Sequence, residues 1–388
     1  MKKLFTTEAV SKGHPDKVCD QISDYILDAV LSEDPNGRVA CEVSATTGLV
    51  VVMGEITTST YVDVKGLVRE KLKKIGYNSE DNFGIDGNTC GVIVALDEQS
   101  PDIASGLAEE FGAGDQGMMF GYACNTGEEY NYMPKSYILA NKLLLRLDEL
   151  RSRNKGVSRR VKFGPDAKSQ ITMEIKEDGT EVIDTIVIST QHKDYTDLDI
   201  MRAFIINTVI HEVIPRELIT NETKILINPA GSFVIGGPQG DTGLTGRKII
   251  ADTYGGYCYH GGGAFSGKDC TKVDRSGAYM ARYIAKNVVY SGIADECVVQ
   301  LSYAIGKAEP VSVFIDTMGT NKSALSDSMI SDIVVKNLDL TPKGIIDLFD
   351  LTTPQFTDTA SYGHFTNPEY SWEVINDDLV SIFKSFLM

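Results

Sequence analysis

Apolar residues recur at helical spacing in three places along the chain, and after each the period shifts to strict alternation. In the first, Val18, Ile22, Tyr25, Ile26, Ala29 and Val30 share one face of a helix opened by Pro15, a residue suited to the first helical position, and closed by Pro35-Asn36-Gly37. Residues 39–46 and 49–56 then alternate around Thr47-Gly48, predicting a hairpin, and Val64, Leu67, Val68, Leu72 and Ile75 predict a second helix. The second passage repeats the plan. Leu139, Leu143, Leu147 and Leu150 form a stripe, residues 170–176 and 181–190 form a hairpin around Glu177-Asp178-Gly179, and Leu198, Met201, Ile205, Val209 and Val213 form another stripe. The third has Met280, Ile284 and Val288, then strands at 297–305 and 311–317, then Ile330, Val334 and Leu338.

The hairpins begin about 130 residues apart, so the pattern predicts three copies of one α/β unit rather than a solenoid of short repeats. Ile171, Met173 and Ile175 alternate with Thr172, Glu174 and Lys176, which predicts antiparallel sheets with one buried face. The first two copies continue into a further strand, at 91–96 and 224–228; the third reaches Thr341-Pro342 and another helical stretch. The fold class expected is α+β, mainly antiparallel or mixed sheets covered by helices. Its segments are 1–98, 115–230 and 231–388, with a loop at 99–114 whose length points to function.

Composition narrows the function. With 388 residues, 42% hydrophobic and 23% charged, the chain is in the globular range and long enough for two or three domains. A formal charge of −17 repels nucleic acid and anionic membrane surfaces, leaving a small anion possible only where basic residues gather. No apolar run reaches the roughly 18 residues of a membrane span, and residues 1–10 carry charge and hydroxyls where a signal peptide is apolar. The seven scattered cysteines contain no CxxC pair and read as reduced thiols, so a cytoplasmic location is expected.

Glycine supplies the first candidate chemistry. Twelve of the 36 glycines fall between Gly231 and Gly267, a density that marks tight turning or close approach to a ligand. Arg247, Lys248, Lys268 and Lys272 interleave with this glycine-rich backbone, as expected around a polyphosphate. Gly262–Lys268 has P-loop spacing, but Asp269 follows where a magnesium-binding hydroxyl is needed, and no buried parallel strand precedes it. His14 and Asp16 open an amphipathic helix, where a carboxylate is either a helix-start residue or a ligand for a hard cation. Glu42 and Glu55 lie on strands and either face solvent or aim at a ligand; Asp166-Ala-Lys168 lies just before the second hairpin and is either part of a ligand site or a salt-bridged turn. The other histidines, at 192, 211, 260 and 364, lack metal-ligand spacing and read as structural.

Seven motifs then carry a resemblance: Gly-His-Pro-Asp-Lys at 13–17, Gly-Glu-Ile-Thr-Thr at 54–58, Gly-Ala-Gly-Asp-Gln-Gly at 112–117, Asp-Ala-Lys-Ser-Gln at 166–170, Phe-Val-Ile-Gly-Gly-Pro at 233–238, Gly-Leu-Thr-Gly-Arg-Lys at 243–248 and Gly-Gly-Gly-Ala-Phe-Ser-Gly-Lys-Asp at 261–269. In these, over nearly its whole length, the chain resembles the S-adenosylmethionine synthetases. The resemblance implies three similar domains with pseudo-threefold symmetry, and a homodimer with shared active sites that pairs into a homotetramer. The implied reaction is attack of the methionine sulfur on C5′ of ATP, followed by hydrolysis of the tripolyphosphate to pyrophosphate and phosphate. His14, Lys168, Arg247 and Lys268 are the implied catalytic residues. Asp166, Ser232, Phe233, Asp241, Lys248 and Ala264 join them around ATP; Glu55, Gln99, Asp241 and Lys272 are implied for L-methionine. Asp16 and Asp274 are implied for two Mg2+ ions and Glu42 for one K+, and 99–114 is the implied gating loop. A leaving group of about four negative charges needs several cations, each contributing roughly 4 kcal/mol at about 4 Å and an effective dielectric near 20. Two positions depart from the family pattern: Lys12 stands where Glu is usual, and Ser232 where Arg is usual. A Mg-dependent phosphotransferase using the same cations is the alternative.

Overall fold

The computed structural model describes residues 3–98, 112–153 and 161–387. Eleven strands among them form three sheets. In the first repeat, β2 (Arg38–Thr46) and β3 (Leu49–Thr57) are an antiparallel hairpin, and β4 (Gly91–Asp97) runs parallel to β3. In the second, β6 (Phe163–Ile175) and β7 (Glu181–His192) pair antiparallel, and β8 (Lys224–Ile227) runs parallel to β7. In the third, β10 (Glu296–Tyr303) pairs with β11 (Ser312–Asp316).

Each sheet is completed by a strand from another repeat. β1 (Lys3–Val10), which precedes the first repeat, pairs with β6; β5 (Gly117–Cys124), which precedes the second, pairs with β10. β9 (Gly243–Leu244), which precedes the third, pairs with β2. The exchange is cyclic, so the three repeats cannot be separated without opening every sheet. It went unread in the sequence because none of the three strands has its partner nearby in the chain.

Three long helices of equivalent position pack on the sheets: α1 (Pro15–Glu33), then, after the shorter α2 (Val64–Ile75), α3 (Lys135–Arg153), and, past α4 (Leu198–Ile205), α5 (Val273–Tyr290). α6 (Asp327–Asn337) closes the third repeat. The helix expected through Val213 does run on from α4, but through a wider π turn at Ile206–Ile210. α1 and α5 are buried well beyond an apolar stripe, and their charges are therefore paired internally. Arg275 takes Asp24 at 2.7 and 2.9 Å, and Arg282 and Lys286 both reach Glu373, at 2.9 and 3.0 Å. The last pairs tie the C-terminal segment to α5, where Trp372 stacks on Tyr279 at 3.9 Å. All seven cysteines are free thiols, and among the described residues no helix is long and apolar enough to cross a membrane.

Candidate functional site

Strand exchange assembles the first group of candidate residues. Pairing of β1 with β6 sets Val10 opposite Lys168, so the chain leaving β1 turns into α1 beside β6. Ser11 fastens that turn: its hydroxyl donates to the Pro165 carbonyl at 2.8 Å and accepts from Ala167 N–H at 2.8 Å. Asp166 and Lys168 therefore lie within the hairpin's first strand rather than just before it, the position expected from sequence. β6 is carried back to Phe163 by its pairing with β7, with an irregularity between Phe163 and Ala167 that accommodates Pro165. β9 delivers the glycine-rich segment to the same end of α1.

His14 caps α1, its Nδ1 accepting the Asp16 amide at 3.2 Å. Burial, with the charges of Lys248 and Lys168, pushes its pKa down to about 3, so the imidazole is neutral near pH 7. The buried Asp16 carboxylate accepts Lys248 Nζ at 2.6 Å and Leu244 N–H at 3.0 Å, with Arg247 Nε at 3.8 Å. Burial acts to raise the Asp16 pKa, but the Lys248 and Leu244 hydrogen bonds prevail and hold it below the ordinary value. Lys168 is exposed, its ammonium with no hydrogen bond or ion pair to any described residue, and Arg247 is likewise mostly open. Here, in an acidic chain, three cations face one end of a helix.

Asp166 sits beneath them. One oxygen accepts Gly237 N–H at 2.8 Å and the other has no hydrogen-bond partner; burial drives its pKa up to about 6. A Cβ on Gly236 would lie 2.9 Å from the Phe233 ring, 3.0 Å from Gln191 and 3.2 Å from Asp166, so glycine is required where these three converge. His192, read from sequence as structural, places Phe233: its Nδ1–H donates to the Lys193 carbonyl at 2.8 Å, leaving Nε2 to accept Phe233 N–H at 2.9 Å. Gln191 donates to the Phe83 and Val234 carbonyls, both at 3.0 Å, and its own Oε1 is unpartnered. Neither Gln191 nor His192 has a sequence signal beyond its place at the end of β7. Ser232 and Asp241 are exposed beside this cluster.

A second group gathers at the start of α5. Lys268 bridges to Ala40 of β2 through its backbone, and its ammonium lies 2.5 Å from Asp274. Asp274 lines a small pocket with His260, Met118, Phe120, Gly263 and Phe265. Asp269, which broke the P-loop pattern, is a buried anchor: it accepts Val39 N–H at 2.7 Å, Thr271 N–H at 2.9 Å and Lys272 Nζ at 2.6 Å. Lys272 is thus already neutralised. Ala264 approaches the first group, since a Cβ on Gly246 would lie 2.6 Å from it, but no hydrogen bond or ion pair among the described residues joins Lys268 and Asp274 to Asp16 and Lys248.

Glu42 and Glu55 are both exposed on the sheet, opposite Met53 and Ala40. Gln99, and the candidate gating loop up to residue 111, lie outside the described residues; residues 112–114 are held where Ala113 and Gly306–Lys307 exchange backbone hydrogen bonds of 2.8 Å. Lys12, one of the two departures, pairs with Asp148 of α3 at 2.8 Å. Among the described residues no three His, Cys, Asp or Glu side chains gather as a ready metal cage. Single carboxylates such as Asp16 and Asp274 fit magnesium, which takes one or two carboxylates and fills its octahedron with water and substrate phosphate.

Three family models match the chain, in order and nearly end to end. They are the S-adenosylmethionine synthetase N-terminal domain over residues 2–101, the central domain over 110–233 and the C-terminal domain over 235–374.

Proposed function

The chain belongs to the S-adenosylmethionine synthetase family and is a methionine adenosyltransferase acting on ATP and methionine, and from that premise we propose how its own residues divide the work. The family is ATP-dependent and generally metal-requiring. Sulfur attack on C5′ of ATP makes a sulfonium and expels tripolyphosphate, so the site must stabilise a departing polyanion while leaving the sulfur free. Lys168, Arg247, Lys248 and Lys268 receive the polyphosphate, and the gathering of the first three about His14 and Asp16 at the start of α1, in a chain of charge −17, is the observation that carries this reading. Neutral His14 donates a hydrogen bond to the leaving oxygen through Nε2–H, its Nδ1 being occupied as an acceptor.

Phe233 and Ala264 bound the adenosine side, with Asp166 and Ser232 next to it, and Asp241, Glu55, Gln99 and Lys272 serve methionine. Asp16 and Asp274 would hold two magnesium ions, which would supply further positive charge to the phosphate oxygens, and Glu42 would hold potassium. Sulfur and carbon need no acid–base group, so alignment supplies much of the rate, up to roughly 7–11 kcal/mol. Residues 99–114 close over the substrates.

The working form is a homodimer with shared sites, pairing into a homotetramer, in the cytoplasm. One observation supports the dimer: exposed apolar side chains remain on every sheet, including Leu4 and Leu226, Ile93 and Val94, and Met118 and Phe314. The deciding experiment incubates the protein with ATP, methionine, magnesium and potassium and reads products by mass spectrometry. A methionine-derived sulfonium with pyrophosphate and phosphate is expected; ADP without a sulfonium would make the protein a phosphotransferase instead.

A further inference from the structure

α1 carries an aspartate every four residues: Asp16, Asp20, Asp24 and Asp28. With 3.6 residues per turn and 1.5 Å per residue, each step advances about 6 Å along the axis and about 40° around it, so the carboxylates form one slowly winding ridge. Every one accepts a backbone amide from the segment 231–388. Asp16 takes Leu244 N–H at 3.0 Å, Asp20 takes Gly246 N–H at 2.8 Å, Asp24 takes Gly267 N–H at 2.8 Å, and Asp28 takes Phe356 and Thr357 N–H at 2.9 and 2.7 Å. Gly246 immediately precedes Arg247-Lys248, and Gly267 immediately precedes Lys268. Both glycines adopt φ +78°, and a Cβ would meet Ala264 at the first and overlap the Cys41 carbonyl at the second. The backbone is therefore held by a carboxylate on one side and by packing on the other.

We propose that Asp20 and Asp24 are positioning residues of the reaction: Asp20 fixes the backbone origin of Arg247 and Lys248 through the Gly246 amide, and Asp24 fixes that of Lys268 through the Gly267 amide. This rests on the assignment of those cations to polyphosphate. A long cationic side chain finds its anion reproducibly only if its backbone is fixed, and a charge-assisted bond from a buried carboxylate is about twice as strong as a neutral one. Asp24 also holds the buried Arg275, so its removal would strand a charge and disturb folding as a whole. Asp20 is the cleaner probe, since Lys17, 3.0 Å from its second oxygen, keeps Asp252 as partner. Asp28 is an internal control on the same ridge: it accepts three amides and the Thr357 hydroxyl but holds no cation-bearing loop.

The test compares Asp20→Ala, Asp20→Asn and Asp28→Ala with the parent, below their melting temperatures. It measures metal-free tripolyphosphate binding by calorimetry, together with kcat and KM for ATP. Asp20→Ala is expected to weaken tripolyphosphate binding about 10-fold and lower kcat up to about 100-fold, the scale of a 1 Å misplacement. Asp20→Asn, which keeps a neutral acceptor, is expected to fall between. Asp28→Ala should melt at a lower temperature yet bind and turn over like the parent. Parent-like binding and kcat in Asp20→Ala, or an equal loss in Asp28→Ala, would overturn the proposal. If Asp20→Ala does not fold, Asp20→Asn against Asp28→Asn decides: weaker tripolyphosphate binding only in the first supports the proposal, and equal binding overturns it. Product formation by the parent is a separate result. A parent that makes no sulfonium sinks the functional reading, while the binding comparison still decides the role of Asp20.

Discussion

The ammonium of Lys248 lies 2.6 Å from Oδ2 of Asp16, so the cation assigned to phosphate and the carboxylate assigned to magnesium neutralise each other before either meets substrate. Asp16→Asn should therefore move two measurements in opposite directions. Metal-free tripolyphosphate should bind severalfold more tightly, because a negative charge is removed and Lys248 is released. Magnesium-supported turnover should fall by about 100-fold or more, as expected for loss of a metal-held charge at the leaving group. An unchanged magnesium concentration for half-maximal rate would take Asp16 off the metal.

Lys168→Met isolates charge from architecture. Lys168 is exposed on β6 and its ammonium pairs with no described residue, and surface substitutions of that kind usually change stability by no more than about 0.5 kcal/mol. Sulfonium formation is expected to drop about 100-fold, with the melting temperature nearly unchanged. Turnover near the parent's would remove Lys168 from the catalytic group.

Asp166 predicts a pH dependence of stability with a defined sign. Burial raises its folded pKa from an ordinary value of 3.8 to about 6, so the folded state keeps a proton that the unfolded chain has lost. Its contribution is fully present below about pH 4 and is lost as pH rises through about 6. Asp166→Asn cannot ionise and still offers an acceptor to Gly237 N–H. The melting temperature of Asp166→Asn relative to the parent should thus climb between pH 4 and 7 and then level off. A difference that stays flat over that range would show that Asp166 is not held neutral by burial.

How much of this was legible in the sequence depends on how local the cause was. Helix α1 was readable because Pro15 and the run from Val18 to Val30 lie within one element, and the two earlier hairpins because their turns join neighbouring strands. β1, β5 and β9 were not, since a strand whose partner lies more than a hundred residues away has no turn to announce it. Asp166 and Lys168 were set ahead of the hairpin because its alternation is legible only from Gln170; pairing with β7 carries β6 back to Phe163, and β1 joins it from Lys168 onward. The four-residue spacing of Asp16, Asp20, Asp24 and Asp28 was visible, but an acidic helix face ordinarily meets water. What changed its meaning was the distant glycine-rich backbone laid along it.

Ser232 is the departure from the family pattern with a direct consequence for binding. It is exposed, one residue before Phe233, whose backbone His192 holds from both sides, its Nε2 accepting Phe233 N–H and its own N–H donating to the Phe233 carbonyl, each at 2.9 Å. An arginine there would start from a fixed backbone and add a cation to a chain of charge −17. At about 4 Å and an effective dielectric near 20 a unit pair is worth roughly 4 kcal/mol before desolvation, and an exposed, salt-screened position retains about 1 kcal/mol of that or less. Ser232→Arg is accordingly expected to tighten ATP binding severalfold at low salt, with the gain shrinking as salt is added. Calorimetry at two ionic strengths measures both effects, and an ATP dissociation constant equal to the parent's at low salt would mean that a cation at position 232 does not reach the triphosphate.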